Sequence, residues 1–367
     1  MHLCLTLVRP SQWSTGQDAN ATIKRQLQRL LLGVSVFLDV DDLKEIGDLE
    51  LYIDQTLVIN IFLSHWYFKS KNCLREVQAT VDKDKPIMCT HEIEKPKGGG
   101  PLEDIKAELD DQRLKDAVFA RERQITIWYR IADFQLISLK QLAAFTLQQT
   151  PRYAGTESLE IYVPRELLRE SLGFEMPVAL YTSPNNPGVK ALATELQQAH
   201  TGISTTEELN VGAEAVSSAS PTHFLLYLNH DTYLEDAGKA LAEELRRARV
   251  VDLPIVMAHE NDDARGGCEF ALFFSTTPGD LISGGLYKAL AFACYPGLHR
   301  AVSMALLAKA LGAKPLKQLT LSKMSVGAAT QAQQLSGPAN CKMAKGILQF
   351  RRTRNTQVVT ATQVSSV

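Results

Sequence analysis

The sequence is poor in cysteine and has no long apolar run. Its six cysteines, at 4, 73, 89, 268, 294 and 341, include no C-x-x-C pair, so we expect reduced thiols and a cytoplasmic protein. No run approaches the roughly 18 apolar residues of a membrane span. The N-terminal MHLCLTLV has no basic n-region before its apolar residues, and the Arg9-Pro10 that follows does not resemble a cleavage site. We therefore expect neither a signal peptide nor a transmembrane segment.

Several motifs of nucleotide and metal chemistry are also missing. There is no Gly-x-x-x-x-Gly-Lys phosphate loop and no Gly-x-Ser-x-Gly elbow. HEIEK (91–95) and HENDD (259–263) lack the second histidine of a zinc motif, so we interpret both as strand ends. The acidic stretch at 39–42 lacks the glycine and glutamate spacing of a calcium loop. These absences predict no metal site and no resident cofactor.

Charge is distributed unevenly along the 367 residues. From residue 313 onward there are eight Lys or Arg and no acid, so the first 312 residues carry a net charge of −10. An acidic body argues against nucleic-acid binding by the folded part, because phosphate neutralisation needs clustered positive charge. The composition of residues 313–367 predicts a basic, disordered tail.

Short apolar runs alternate with amphipathic stretches over residues 1–150. This alternation predicts an α/β domain with a parallel sheet and helices on both faces, as in flavodoxin-like folds. The run LVINIFL (57–63) is rich in β-branched residues, as expected of a central strand. Its end carries Ser64 and His65 to the carboxyl edge of the sheet, where such folds bind ligands.

The pattern repeats in the second half of the chain. Glu76 is followed by a proline after ten residues and a histidine after fifteen, and so is Glu244. The repeat of 168 residues is longer than any solenoid unit. We therefore predict two tandem copies of one domain, at about 1–150 and 175–312, of which the second is degenerate.

Glu76 is the candidate for chemistry. With Ser70 as N-cap, Cys73 and Val77 fall on the buried stripe of a helix and Glu76 falls on the flank of that stripe. The carboxylate is thus expected at the rim of the core, near the end of the preceding strand. The pattern alone is compatible with an ordinary glutamate at the boundary of the core and with a catalytic glutamate.

The segments VFLDVDDL (36–43), LVINIFLSHWYFKSKNCLREV (57–77) and DKPI (84–87) resemble a Toll/interleukin-1 receptor (TIR) domain. In TIR domains that cleave NAD+, the glutamate of the Cys-Leu-x-Glu helix is catalytic, which implies that role for Glu76. The stretch from Asp39 to Gly47 matches the loop that gates the substrate site and mediates assembly in the family. The second copy lacks the Ser-x-x-Tyr and Cys-Leu signature, although Glu244 occupies the equivalent position.

The resemblance also implies a set of substrate-binding residues. These are Arg9, Asp39, Asp41, Ser64, Trp66, Tyr67 and Cys73. Trp66 and Tyr67 are expected either to stack on a flat base or to pack beneath the loop.

Three functions are compatible with the sequence. The leading hypothesis is an intracellular signalling protein that hydrolyses NAD+, as substrate, to nicotinamide and an ADP-ribose product. The second is a non-catalytic TIR scaffold that acts through association with other TIR domains, through self-association or through pairing of its two copies. The third is a nucleotide sensor that binds at the same cleft without turnover.

Overall fold

A computed structural model describes residues 2–5, 16–38, 49–164, 166–209 and 220–317, all of which belong to one compact unit, Met1–Leu319. The fold is α/β, with parallel sheets flanked by helices, as the alternation of apolar runs predicted. No helix in these ranges is long and apolar enough to cross a membrane.

Five parallel strands form the first sheet. They are β1 (His2–Leu5), β2 (Ser35–Leu38), β3 (Val58–Leu63), β4 (Ile87–Glu92) and β5 (Ile125–Trp128). Their spatial order is 2-1-3-4-5, which is the flavodoxin-like order. All six residues of β3 are buried, which confirms the prediction of a central strand.

Helices cover both faces of this sheet. They are α1 (Gln17–Leu30), α2 (Leu49–Gln55), α3 (Lys71–Asp82), α4 (Leu102–Ala107), α5 (Gln112–Val118) and α6 (Ala132–Gln148). Residues of α2 to α5, including Ile53 and Val77, pack on one face in a core with β3 and β4. Residues of α1 and α6, including Ile23 and Leu142, form the second core on the other face.

A second parallel sheet of five strands follows in the chain. A short strand β6 (Leu172–Gly173) precedes β7 (Val178–Tyr181), β8 (Ile203–Thr206), β9 (His223–Leu228), β10 (Ile255–Glu260), β11 (Ala291–Cys294) and the short β12 (Lys314–Pro315). The helices are α7 (Val189–Ala199), α8 (Glu235–Val250), α9 (Phe273–Thr276), α10 (Gly279–Ser283) and α11 (Arg300–Ala310). The order β8-β7-β9-β10-β11 has the same pattern as the first sheet, and β12 pairs antiparallel with β6.

Matching turns occur 168 residues apart in the two halves. Asp84, between α3 and β4, has a left-handed backbone with φ of 49°, and Asp252, between α8 and β10, has φ of 53°. Gly98 and Gly266 are left-handed in the loops after β4 and β10, with φ of 80° and 81°. The strand ends of the two halves are therefore presented by similar backbone geometry.

The two halves contact each other through residues that follow β5 and β11. The rings of Tyr129 and Tyr295 lie 4.1 Å apart between centroids, and His299 contacts Tyr129 edge-on at 4.5 Å. Ile137 of α6 and Val302 of α11 are buried in the same cluster. The cluster is therefore a shared apolar core between the two halves.

Candidate functional site

Glu76 lies on α3, which begins directly after Ser70 as the sequence predicted. Cys73 and Val77 of this helix pack into the core. Glu76 itself is only 3% exposed, and Thr80, one turn further along the helix, is also buried. Glu76 therefore belongs to a buried polar strip on the flank of the helix rather than to its solvent face.

Three of the predicted substrate-binding residues that are described are buried. Ser64 follows β3 and is 2% exposed, whereas Tyr67 and Cys73 lie within the core between α3 and the sheet. The Tyr67 ring packs edge-on against Phe68 at 4.9 Å. Tyr67 therefore occupies the packing position that was the alternative to stacking on a base.

Trp66 differs from its neighbours because its side chain is 69% exposed. It follows Ser64 and His65 at the carboxyl end of β3, and this edge of the sheet is where open α/β folds bind ligands. The other predicted substrate residues, Arg9, Asp39 and Asp41, lie outside the described residues.

The equivalent carboxylate of the second half is hydrogen-bonded within the protein. Glu244 lies on α8, and its Oε1 accepts a hydrogen bond of 2.7 Å from Nδ2 of Asn185, which follows β7. Burial raises the pKa of the Tyr181 phenol at the end of β7, and the nearby Glu244 carboxylate raises it further. Glu244 thus connects its helix to the loop after the first strand of its sheet.

A hydrogen-bonded cluster that the sequence did not predict holds the loop after β3. Oε1 of Glu108, which follows α4, accepts a hydrogen bond of 2.9 Å from the backbone N–H of Trp66. The same oxygen lies 3.3 Å from Nδ1 of His65. Trp66 and Glu108 are 42 positions apart in the sequence, and no sequence pattern indicates that they are in contact.

The three glycines at 98–100 fit closely around this cluster. The carbonyl of Gly98 accepts the His65 backbone N–H at 2.8 Å. A Cβ on Gly99 would lie 2.6 Å from the Glu92 carbonyl oxygen, and a Cβ on Gly100 would lie 2.1 Å from Nε2 of His65. The glycines therefore permit close approach and are not a flexible linker.

Replacing Gly100 with alanine should destabilise the protein, because the new Cβ displaces the His65 ring from Glu108. The partly exposed ring can turn toward solvent, so the cost is that of the lost contact between His65 and Glu108, about 0.5–1.5 kcal/mol. Urea denaturation of Gly100→Ala measures the loss. Cys268→Ala is the matched control, since this position of the second half already carries a Cβ. Equal stability of Gly100→Ala and the wild type would contradict the packing argument.

A cleft of about 530 Å³ lies beside the cluster. Its lining includes Phe68, Lys69 and Leu74 on one side and Glu108, Asp110 and Leu114 on the other. Arg75, at its rim, is already bound by Glu50 of α2 through two hydrogen bonds of 2.6 Å. Glu76 is not among the lining residues, so this cleft lies on the other flank of α3.

The His-Glu pairs end β4 and β10, which confirms their interpretation as strand ends. Nε2 of His91 donates to the carbonyl of Gly100, and Nε2 of His259 donates to that of Cys268, both at 2.8 Å. Burial lowers the pKa of both imidazoles. No group of three or more His, Cys, Asp or Glu that could hold a metal occurs among the described residues.

The glutamates of these pairs are fully buried and bind arginines. Oε2 of Glu92 lies 2.5 Å from Arg130, and Oε2 of Glu260 lies 2.7 Å from Arg300. Burial raises the pKa of Glu92, whereas the backbone N–H of Glu94 and the Arg130 guanidinium oppose that shift. These ion pairs fix the carboxyl edges of both sheets.

No known protein family matches the sequence, and no curated protein is significantly similar to it.

Proposed function

We propose that residues 1–150 form a TIR-like domain that cleaves NAD+, with Glu76 as the catalytic carboxylate, in an intracellular signalling protein of the cytoplasm. The burial of Glu76 carries this proposal. A carboxylate that is 3% exposed on the helix after β3 is far more shielded from water than a surface glutamate. Electrostatic stabilisation of a developing cation is strongest where water is excluded.

The reaction suits a single carboxylate. Cleavage breaks the bond between ribose C1′ and the pyridinium nitrogen, and the bonding electron pair leaves with neutral nicotinamide. The ribose becomes an oxocarbenium ion, which the ionised Glu76 stabilises, as carboxylates do in glycoside cleavage. Water then adds to C1′ and loses a proton, which gives ADP-ribose. NAD+ is a substrate here, and no resident cofactor is required.

The experiment compares NAD+ turnover by the wild type, Glu76→Gln and Glu244→Gln. Loss of the carboxylate charge should reduce turnover at least about 100-fold in Glu76→Gln. Glu244→Gln is the matched control at the equivalent helix position and should turn over NAD+ like the wild type. Thermal unfolding checks that all three proteins fold. The proposal fails if the wild type has no turnover in any assembly state, or if Glu76→Gln matches it.

A second candidate function is a non-catalytic TIR scaffold that acts by association with other TIR domains or with a second copy of the chain. The contact between Tyr129 and Tyr295 favours this candidate, because the two halves of the chain already pack against each other through apolar surfaces. Light scattering measures self-association, and a cellular assay measures output. Association with full output in Glu76→Gln supports the scaffold. A protein that stays monomeric at every concentration contradicts it.

A further inference from the structure

Trp66 is held in an unfavourable backbone conformation while its side chain faces solvent. Its φ is 69°, in the left-handed region that bulky residues avoid, and its side chain is 69% exposed. Such a conformation is unfavourable and persists only when the surroundings enforce it. The indole makes no ring–ring contact within the described residues, so core packing does not explain the conformation.

Glu108 and His65 enforce this conformation. Oε1 of Glu108 receives the Trp66 backbone N–H at 2.9 Å and lies 3.3 Å from Nδ1 of His65. The Glu108 side chain is largely buried, so its hydrogen bonds are shielded from water. The His65 ring is in turn confined by Gly100. The turn that carries the indole is therefore fixed in advance.

The second half forms the equivalent turn with its left-handed aromatic residue at a different place, where Tyr233, with φ of 68°, is buried. In the first turn, the backbone N–H of Tyr67 donates a hydrogen bond to the carbonyl of Ser64. The same hydrogen bond in the second turn joins Thr232 to Asn229. By this correspondence, Asp231 occupies the position of Trp66. Asp231 is not among the non-glycine residues with positive φ.

The histidine of the second turn lies against a different glycine, because a Cβ on Gly266 would lie 2.5 Å from Nδ1 of His230. His230 is more than half exposed and pairs with the adjacent Asp231 at 3.0 Å. The residue that corresponds to Gly100 is Cys268, since each accepts the strand-end histidine through its carbonyl. The constellation of His65, Glu108 and Gly100 is thus not a requirement of the fold.

We propose that Trp66 is a preorganised stacking platform for a planar heteroaromatic ring of a nucleotide, with Glu108 and His65 as its positioning residues. Its place at the carboxyl edge of the sheet is that of ligands in open α/β folds. An exposed indole offers a large flat face, and the backbone that carries it is already fixed. The cleft that Glu108 shares with Phe68 and Lys69 provides room next to this loop. The identity of the ligand rests on the proposed function, whereas the presence of the platform does not.

Tryptophan fluorescence tests the platform, with AMP and nicotinamide mononucleotide as separate ring-bearing probes and ribose 5-phosphate as the probe without a ring. Either nucleotide, or both, should quench emission from the wild type, and the stronger one identifies the ring. Trp66→Leu should weaken binding roughly five- to 150-fold, as measured for base stacking on aromatic residues. Isothermal calorimetry measures the affinity of Trp66→Leu without depending on the removed fluorophore.

The positioning role is tested with carboxylate variants. Glu108→Ala should weaken binding at least about five-fold, by loss of part of the stacking contribution. Glu108→Gln, which keeps an acceptor for the Trp66 N–H, should restore most of it. Glu103→Ala is the control, since Glu103 is an exposed carboxylate of α4, the helix that Glu108 follows. Unchanged affinity in Trp66→Leu, or equal binding of ribose 5-phosphate and the nucleotides, overturns the inference.

The inference and the proposed function fail in different ways. Binding of a nucleotide that depends on Trp66, in a protein without NAD+ turnover, supports the platform and rejects the hydrolase. If NAD+ turnover depends on Glu76, and Trp66→Leu changes neither turnover nor nucleotide binding, the result supports the hydrolase and rejects the platform.

Discussion

Replacing Arg300 with leucine should lower the free energy of unfolding by about 3–5 kcal/mol, because it leaves a buried charge without its counter-ion. Glu260 is fully buried at the end of β10. Its Oε2 binds Arg300 at 2.7 Å and accepts the Tyr227 hydroxyl at 2.5 Å. Its Oε1 accepts the backbone N–H groups of Asn261 and Asp262. Neutral donors alone do not replace the guanidinium.

Urea denaturation measures the effect, and two further proteins isolate its cause. Glu260→Gln in the Arg300→Leu background should recover most of the loss, since the fully buried carboxylate is then removed and Glu195, the other partner of Arg300, still binds Arg265. Arg246→Leu is the control for an exposed arginine, because Arg246 pairs with Asp280 at 2.7 Å on the surface and should matter far less. A loss below about 1 kcal/mol in Arg300→Leu, or no recovery in the double variant, contradicts the argument.

The sequence was sufficient to predict the sheet architecture. Short β-branched runs such as LVINIFL must be buried on both faces, and the amphipathic stretches between them supply the helices that cover those faces. The constant spacing from Glu76 and Glu244 to the following histidines placed both His-Glu pairs at strand ends. Each of these features depends on residues that are close together in the chain, so the pattern of apolar and polar residues is sufficient to predict it.

The cluster around Trp66 could not be predicted in the same way. An aromatic residue gives no signal for a positive φ, since tryptophan rarely adopts one. Its partner Glu108 lies in a polar stretch whose composition predicts only a loop and an exposed helix. The contact depends on how α4 returns to the end of β3, which is tertiary information.

Buried polar groups of the first sheet were missed for a similar reason. Asn60 lies in the middle of β3, and its Oδ1 accepts the hydroxyl of Thr90 at 2.7 Å, 30 residues away. The corresponding strand of the second half, β9, has Leu225 at this position, two residues after its start as Asn60 is in β3. The apolar pattern predicted burial correctly but contained no indication of which buried polar groups would pair.

His299 connects the two halves and packs among aromatic rings. The ring lies 4.5 Å from that of Tyr129 and 6.4 Å from that of Phe134, and its Nε2 lies 3.3 Å from the Ser138 hydroxyl. Tyr295 completes the cluster. Burial lowers the pKa of His299 to about 4, although a hydrogen bond to the Phe134 backbone opposes the shift. The folded protein therefore keeps this imidazole neutral.

Acidification from pH 7 to pH 5 should therefore destabilise the wild type by about 2 kcal/mol through His299 alone. The pKa of the histidine is near 6.5 in the unfolded chain and about 4 in the folded protein, so the unfolded chain binds the proton first. Stability is complete above pH 6.5 and falls as the pH approaches 4. The loss should be concentrated in the contact between the halves, where the charged ring would lie among aromatic side chains.

His299→Gln isolates this contribution, because glutamine is neutral at every pH and retains a donor near Ser138. The lowered pKa values of His91 and His259 affect both proteins equally and cancel in the comparison. Urea denaturation at pH 7, 6 and 5 should show a smaller loss of stability in the variant, and the difference between the proteins should grow as the pH falls. Parallel pH profiles of the two proteins would contradict this prediction. They would mean that His299 has the same pKa in the folded protein as in the unfolded chain, despite its burial between Tyr129 and Ser138.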